Sequence, residues 1–343
     1  MKTLKSNKGV GLLVTLLVLS TLASFATMAF RKAREHLFYA GNYAKHIQAL
    51  TLAKAGVNLA RAGLLLDKNK KDDLEEDWHT LSSMTQLAPL PLGNGFLSIN
   101  ISDEESKPNI NSMNEKQLTA YFKSLSLKRV RKGDLLGMDI IDDGLERELA
   151  HAFLDWTDYD DEEREEGAES PWYRKDEKKL LVHNQKLATV GEMLWIKGFT
   201  KEMLFGKKGN PRLIDLFTIY GSGKINLNTV THEVLEVFIR QENEYQAESL
   251  AELVLQDRPF ETDGEAKSAI ARAGLSAELQ KMVKVKSEYF KIIATGIVGD
   301  YKSEIEAIVK RSNESCDILL WKEREFEEKT QKTQEESERG DYE

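Results

Sequence analysis

The stretch that decides the architecture is KGVGLLVTLLVLSTLASFATMAF, at residues 8–30. No charged side chain occurs between Val10 and Phe30. At 1.5 Å per residue, a helix over this stretch measures roughly 31 Å, which is about the thickness of the hydrocarbon layer of a bilayer. We therefore predict a single membrane span at residues 10–30.

A cleavable secretory signal is the alternative explanation of the same stretch. Such signals have a shorter apolar core followed by small residues at the cleavage site, and residues 24–29 could serve as that site. Basic residues flank both ends of the span, at positions 2, 5 and 8 and at positions 31, 32 and 34. The positive-inside rule therefore does not orient the chain.

The junction before the span is more informative. Lys8, Gly9 and Val10 place a basic residue and a glycine directly against the apolar run, which resembles the leader of type IV prepilins. The resemblance implies that a prepilin peptidase cuts between Gly9 and Val10 on the cytoplasmic face. Most members of that family carry glutamate as the fifth mature residue, whereas this chain has Val14 there.

The apolar span continues into a longer helix without a proline or a turn cluster. Leu50, Ala53, Val57, Ala60 and Leu64 recur at helical spacing, so one helix of ~85 Å is predicted from about residue 10 to residue 66. Its second half should present a stripe of small residues to a sheet. Glycines at positions 41, 56 and 63 are each unfavourable in a helix by ~1 kcal/mol, which close packing could offset.

Strand patterns lie at two distant places in the chain. Residues 95–102 alternate apolar and polar side chains, and residues 289–297, 302–310 and 316–321 form a second group separated by turn signals. About 170 residues with helical periodicity lie between them. The fold class is therefore predicted as α+β, a pilin-like fold of a long N-terminal helix and an antiparallel sheet, interrupted by a large inserted all-α domain. The predicted units are a leader at 1–9, the span at 10–30, the pilin-like domain at 31–102 and 286–321, the insertion at 103–285 and a charged disordered tail at 322–343.

A short pattern occurs twice within the insertion. Asn109–Leu118 and Asn226–Leu235 share the form N-x-N-[ST]-x-x-x-x-x-L, which suggests two similar helical subdomains. The Ser or Thr of each copy could cap the helix that follows. A DNA-binding helix-hairpin-helix unit begins similarly, but it needs a glycine-rich hairpin that grips phosphate. The formal charge of -9 also argues against a nucleic-acid partner.

The densest polar cluster lies at residues 155–169. Asp158 and Asp160 can direct two carboxylates to one point from a loop, and Asp155 and Glu169 could complete a shell of oxygen ligands suited to Ca²⁺. The register is not that of an EF-hand. The alternative is a solvated acidic loop without a metal.

No pattern in the sequence predicts catalysis. The six histidines lack a metalloprotease or triad context, and His183 and His232 are assigned no role. The single cysteine, Cys316, excludes an intrachain disulfide. A pair of acidic residues acting as in a glycosidase is conceivable in the 155–169 cluster, but nothing in the spacing selects one.

Taken in order along the chain, these features resemble general secretion pathway protein K, the family of large minor pseudopilins of type II secretion. The matching stretches are Lys8–Val10 with Val14, Glu76–Trp78, Asp103–Asn111, Asp155–Asp160 with Gly167–Glu169, Gly191–Gly198 and Asp215–Thr229. Pro108 and the highly charged stretch between Asp160 and Gly167 depart from the family pattern.

The resemblance implies a non-enzymatic subunit held in the bacterial inner membrane by one span, with its bulk in the periplasm. It would assemble with other minor pseudopilins at the tip of a short fibre of the major pseudopilin. It would also bind calcium through Asp155, Asp158, Asp160 and Glu169. Val14 is compatible with a tip position, because a subunit at the end has no neighbouring ammonium above it for a glutamate to neutralise.

Two other functions remain open at this stage. One is a minor pilin of a type IV pilus or competence system. The other is a membrane-anchored hydrolase that uses the acidic loop.

Overall fold

The computed structural model describes residues 8–126, 141, 144–175, 182, 184–206 and 212–325. Its α-helices are α1 Lys8–Leu66, α2 Asp77–Leu87, α3 Glu115–Ser126, α4 Glu146–Thr157, α5 Ser170–Tyr173, α6 Lys201–Phe205, α7 His232–Arg240, α8 Ala247–Gln256, α9 Asp263–Arg272 and α10 Ala277–Lys281. Its strands are β1 Leu90–Leu92, β2 Gly95–Asp103, β3 Ile225–Asn226, β4 Val283–Lys284, β5 Tyr289–Val298, β6 Tyr301–Arg311 and β7 Cys316–Glu325. Short 3-10 helices lie at Glu104–Ser106, Ile110–Ser112, Val190–Trp195 and Leu213–Asp215.

Helix α1 runs without interruption through two environments. Its first part is exposed, and it is long and apolar enough to cross a membrane. Its second part packs on the sheet through a stripe of residues that are all 0% exposed: Ala49, Ala53, Val57, Ala60 and Leu64. The predicted helix and its buried stripe are confirmed, although Leu50 is only partly buried.

Of the glycines at positions 41, 56 and 63 of α1, one is required by packing. A Cβ built on Gly56 would lie 2.7 Å from Leu97 Cδ1 and 2.9 Å from Ala294 Cβ, both on the sheet that faces the helix. Gly41 and Gly63 have no atom within 4 Å of the corresponding position. The expectation that packing explains the glycines therefore holds only at Gly56.

The main sheet has the order β1-β2-β5-β6-β7, with antiparallel pairing throughout. Strand β2 is the direct neighbour of β5, and Ile99 pairs with Ala294 across that junction. The inner face of the sheet supplies a core with α1 that is formed by Leu97, Ile99, Ile101, Phe290, Ile292, Ala294, Ile305, Ala307 and Val309. The long helical segment is thus an insertion between two adjacent strands, as the strand patterns predict.

Both edges of the sheet extend further than the sequence suggests. Strand β1 lies in a stretch expected to be a loop; the turn at Gly93, with φ of +60°, folds it back on β2. At the other edge, β7 continues to Glu325, so the assignment of residues 322–325 to a disordered tail is wrong. Arg324 forms ion pairs with Glu304 and Glu306 of β6, which gives these charged residues cross-strand partners. The rest of the predicted tail, residues 326–343, lies outside the described residues.

The insertion has a hydrophobic core of its own. Its largest fully buried side chains include Tyr121, Phe122, Phe153, Tyr173 and Phe217. It is not purely helical, because β3 pairs in parallel with β4 where the chain returns towards the main sheet. This pair corrects the prediction of an all-α insertion. In this pair, Ile225 lies opposite Val283 and Asn226 lies opposite Lys284.

The repeated pattern corresponds to a repeated local structure. The side-chain oxygens of Asn109 and Asn226 accept from the backbone N–H two residues later, at 2.9 and 3.0 Å. The second asparagine of each copy holds a distant loop through two hydrogen bonds. Asn111 bonds the backbone of Leu187, at 3.0 Å in both directions, and Asn228 bonds that of Phe260 at 2.9 and 2.8 Å.

The predicted helix caps are wrong in both copies. The amide of Gln117 donates to Asn114 at 3.0 Å, and Thr231 accepts from Val234, so each cap lies two residues beyond the expected Ser112 or Thr229. Thr229 instead donates to Asp103 at 2.6 Å. The pattern ends in a short turn before each helix starts, which moves the cap along the chain.

Candidate metal centre

Helix α4, within the insertion, contains Asp155, the first residue of the acidic cluster. Its apolar face, with Leu149, Phe153 and Trp156, is buried in the core, and Trp156 packs edge-on against Tyr173 at a centroid distance of 5.0 Å. The loop after α4, residues 158–169, is called the acidic loop below. It begins at Asp158, at the end of α4, and ends at Glu169, at the start of α5, so both of its ends are anchored to helices.

Asp155 organises this loop. Its Oδ2 accepts from the backbone N–H of Ala168 at 2.9 Å and of Arg164 at 3.2 Å, and its Oδ1 accepts from Arg164 Nη1 at 2.6 Å. Gly167 crosses directly over the carboxylate, because a Cβ there would lie 1.8 Å from Asp155 Oδ2. Only glycine permits so close an approach of the backbone.

Lys197 holds the same loop from the other side. Its Nζ donates to the carbonyl oxygens of Glu166 and Gly167, each at 3.1 Å, and lies 3.3 Å from the carboxylate of Glu148. The backbone N–H of Lys197 also donates to the hydroxyl of Tyr173 at 3.1 Å. The loop is thus positioned by side chains from α4, α5 and the segment that precedes α6.

Three of the four predicted ligands converge on one point. One carboxylate oxygen from each of Asp158, Asp160 and Glu169 lies within 4.8 Å of the other two, and Asp155 is not part of this group. Asp155 instead accepts hydrogen bonds from the backbone of the loop. The other three carboxylates are grouped together.

Several oxygens of the acidic loop and of Asn184, which is bonded to this loop, have no hydrogen-bond partner within the described part of the chain. They are Asp158 Oδ1, both carboxylate oxygens of Glu169 and Asn184 Oδ1, all of them buried. Glu169 as a whole is 0% exposed. Leaving such acceptors unpaired in the interior costs about 1–3 kcal/mol each, and more when they are charged.

Asn184 is the residue that sequence reasoning missed. Its Nδ2 donates to the backbone oxygen of Asp160 at 3.0 Å, which brings its unpaired Oδ1 to the acidic loop. Its φ of +44° is left-handed, a conformation that asparagine tolerates better than most residues. The bond from Asn111 to Leu187 holds this segment in place, and no local pattern in the sequence connects Asn184 to residues 158–169.

The electrostatic environment is strongly negative. Burial, followed by the charges of Asp155 and Asp158, raises the pKa of Glu169 to about 7. Burial also raises the pKa of Asp158, although Arg164 acts in the opposite direction. A cation at this point would favour the ionised form of every carboxylate around it.

The donor set fits calcium. It offers only oxygen atoms, from three carboxylates and an amide, and Ca²⁺ takes oxygen ligands in flexible geometry. Asp158, Asp160, Glu169 and Asn184 are the residues that would hold the ion. Bound there, it would supply the positive charge that the unpaired oxygens lack.

A second acidic group, Asp67, Asp72 and Glu76, contrasts with this one. Its carboxylates also lie within 4.8 Å of one another, but they are already paired. Arg311 contacts Asp67 at 2.9 Å and Asp72 at 2.6 Å, and Glu76 accepts from Trp78 Nε1 at 2.7 Å. This group is an ion-pair network between the end of α1 and the sheet.

The remaining predicted residues lie away from the metal centre. Val10 and Val14 are 60% and 54% exposed on α1, and Gly9 lies in the first turn of the same helix. His232 begins α7, with its Nδ1 3.9 Å from Glu236. His183 and residues 1–7 of the predicted leader lie outside the described residues.

Comparison with known proteins gives three concordant matches. Residues 104–205, which contain the acidic loop, match the family model described as type II secretion system protein K. The chain is 25% identical to type II secretion system protein K of Aeromonas hydrophila over 346 residues, covering 93% of this chain and 98% of that protein. Its fold is similar to a chain in the crystal structure of the GspK-GspI-GspJ complex from the type 2 secretion system of enterotoxigenic Escherichia coli. The TM-score is 0.58 at 19% identity, with 88% of this chain and 99% of that chain covered.

These matches confirm the resemblance to protein K. They also confirm the predicted fold class, a pilin-like fold with a helical insertion between β2 and β5.

Proposed function

We propose that this relative of type II secretion system protein K is the large minor pseudopilin of its system, placed at the tip of the pseudopilus. There it would assemble with other minor pseudopilins and support protein export across the outer membrane. The observation that carries the proposal is the architecture itself. A single long helix, apolar in its first part, packs on a sheet through its second part, and a large insertion with its own core separates two adjacent strands, β2 and β5.

The architecture supports a tip position in two ways. The insertion is about the size of a separate domain, so at every repeat of a close helical array it would crowd its neighbours. At an end of the fibre there is free space on one side. Val14 places no charge on the exposed surface of the span, and therefore needs no ammonium from a subunit above it.

The apolar part of α1 supports a single-pass anchor in the inner membrane, with the sheet and the insertion in the periplasm. Processing by the prepilin peptidase between Gly9 and Val10 would leave the mature helix starting at the membrane. Laterally, this helix would contact the other minor subunits and the major pseudopilin. The proposed role is structural and involves no catalysis.

Calcium is the proposed structural ion of the insertion. Asp158, Asp160, Glu169 and Asn184 would bind it, and Asp155 would hold the loop that presents them. A ligand that binds only the folded state stabilises it by ~2.7 kcal/mol at one hundred times its dissociation constant. A chelator should therefore lower the melting temperature of the protein, and millimolar calcium should restore it. An unchanged melting temperature under both conditions would falsify the calcium site.

The assembly role is tested by co-purification. The full chain, solubilised in mild detergent, is expressed together with the two other minor pseudopilins of the same system, the counterparts of GspI and GspJ in the matched complex. We expect one stable heteromeric complex with a single copy of this chain. Recovery of the chain alone, or only with pilus subunits from the same cell, would contradict the assignment to type II secretion.

A further inference from the structure

Arg164 already places a positive charge in the acidic loop. Its Nη1 lies 2.6 Å from Asp155 Oδ1 and 2.6 Å from Asp158 Oδ2. The side chain is 31% exposed, whereas that of Asp155 is 0% exposed. One guanidinium therefore bridges the carboxylate that organises the loop and a carboxylate of the proposed calcium site.

We infer that the positive charge of Arg164 holds the acidic loop folded when calcium is absent. Because the same charge contacts Asp158, it also lowers the affinity of the site for calcium. The inference rests on the proposed calcium site. It assigns a role to a basic residue in the acidic stretch between Asp160 and Gly167.

The division of the Asp158 oxygens supports this role. Oδ2 is bonded to Arg164, while Oδ1 is buried and has no partner among the described residues. An ion bound to Oδ1 would lie within a few ångströms of the guanidinium, and two positive charges at that distance repel one another. This repulsion would weaken calcium binding unless the ion displaces Arg164 from Asp158.

Without calcium, the same contact is favourable. Asp155, Asp158, Asp160 and Glu169 bring four carboxylates into one region, and carboxylates held close together repel one another when ionised. Arg164 neutralises two of them. Its Nη1 alone contacts both Asp155 and Asp158.

A purely structural role for Arg164 makes the opposite prediction for binding. If the arginine only shapes the loop, its removal should weaken calcium binding together with stability. If it also opposes the ion, its removal should strengthen binding while destabilising the calcium-free protein. Affinity and stability therefore have to be measured on the same variants.

The experiment compares full-length wild type, Arg164→Gln and Arg147→Gln in detergent micelles. Calcium dissociation constants are measured by titration calorimetry, and melting temperatures are measured in chelator. Arg147 is the matched control, because it pairs with Glu165 at 2.6 Å on the exposed side of the same loop and its removal changes the net charge equally. We expect Arg164→Gln to bind calcium on the order of tenfold more tightly and to melt lower in chelator. Arg147→Gln should stay within about twofold of wild type.

The inference is overturned if Arg164→Gln binds calcium no more tightly than wild type, or if Arg147→Gln gains as much. A variant that folds only in calcium supports it. If Arg164→Gln folds in neither condition, Arg164→Met, which keeps most of the length of the side chain without its charge, is measured in the same way. An affinity above that of wild type supports the inference, and an equal or lower affinity, or failure to fold even in calcium, overturns it. Absence of calcium binding in every variant overturns it together with the calcium site. The pseudopilin role is unaffected by that result, since co-purification tests it separately.

Discussion

Asp103 and Ser287 are joined by a 2.6 Å hydrogen bond from the Ser287 hydroxyl to Asp103 Oδ2. Asp103 is the last residue of β2, and Ser287 comes just before β5, so this bond joins the two ends of the insertion. The same carboxylate oxygen accepts from Asn226 Nδ2 at 3.0 Å and from Thr229 at 2.6 Å. The second repeated pattern is thereby tied to the sheet.

Replacing Asp103 with alanine should strongly destabilise the protein. The change removes the acceptor of the Ser287 hydroxyl and of the Glu105 backbone N–H and the nearer acceptor of the Thr229 hydroxyl, and each unsatisfied buried group costs about 1–3 kcal/mol. Asn226 Nδ2 keeps the backbone oxygen of Asp72 and the hydroxyl of Ser287 as acceptors. We expect Asp103→Ala to lower the free energy of unfolding by at least about 3 kcal/mol, measured by urea denaturation. Asp300→Ala, in the exposed turn between β5 and β6, is the control and should change it little. A loss at Asp103 no larger than at Asp300 would contradict the role of this junction.

Gly167→Ala should disorganise the acidic loop. The added Cβ would overlap Asp155 Oδ2, so either the backbone or the carboxylate must move, and overpacking of this kind costs typically about 1–3 kcal/mol. We expect a lower melting temperature and a weaker stabilisation by calcium. The measurement is a thermal melt with and without calcium.

Gly191→Ala is the matched control for this change. The nearest atom to its added Cβ is Thr189 Oγ1 at 3.8 Å, an ordinary contact. Its melting temperature and calcium response should remain close to those of wild type. Equal effects of the two alanines would show that Asp155 does not hold the loop as described.

The stability of the calcium-free protein should depend on the ionisation of Glu169. Because the folded-state pKa is raised from 4.5 to about 7, folding takes up a proton between these values. The resulting stability is fully present below about pH 4.5 and is lost as the pH rises through about 7. In chelator, the melting temperature should therefore fall as the pH rises from about 4.5 to about 7.

In calcium this pH dependence should reverse, because the ion binds the ionised carboxylate and stabilises the protein more at the higher pH. Glu169→Gln should remove most of the dependence in chelator. Glu162→Gln, an exposed residue of the same loop, should leave it unchanged. The assignment to Glu169 fails if both variants keep the wild-type profile.

Processing should require Gly9. A peptidase that cuts between Gly9 and Val10 must approach the backbone closely, and a larger side chain at the glycine obstructs it. We expect Gly9→Val to accumulate as the full-length precursor, detected by mass spectrometry of the membrane fraction. Gly11→Val, just beyond the junction, is the control and should still be cut. A native N-terminus near Phe30 would instead support a cleaved secretory signal.

Val14→Glu should give little gain in fibre assembly. A carboxylate in the span needs a partner to offset its desolvation, and a subunit at the tip has no ammonium above it. After Cys316→Ser, single cysteines placed in the span should form cross-links mainly with other minor subunits. Sheared fibres composed chiefly of this chain, or regular self-cross-links, would place it in the shaft.

Sequence reasoning succeeded where the structure depends on near neighbours in the chain. The helical spacing of Ala53, Val57 and Ala60 and the alternation over residues 289–310 repeat with the period of the element that they form. The charge-free stretch from Val10 to Phe30 is long and apolar enough to cross a membrane as a helix. The span, the stripe and the strands were therefore predictable. The acidic loop was also located, because its carboxylates are dense in a short segment.

The order of the elements, and the side chains that each of them carries, therefore follow from the sequence alone. How distant segments meet depends on the folded chain. The tertiary structure assigned Asp155 to the loop backbone, grouped Asp158 with Asp160 and Glu169, and brought Asn184 to them through a segment that Asn111 holds. The physical reason is that periodicity reflects which face of one element is buried, whereas the convergence of side chains depends on loops whose partners lie far along the chain.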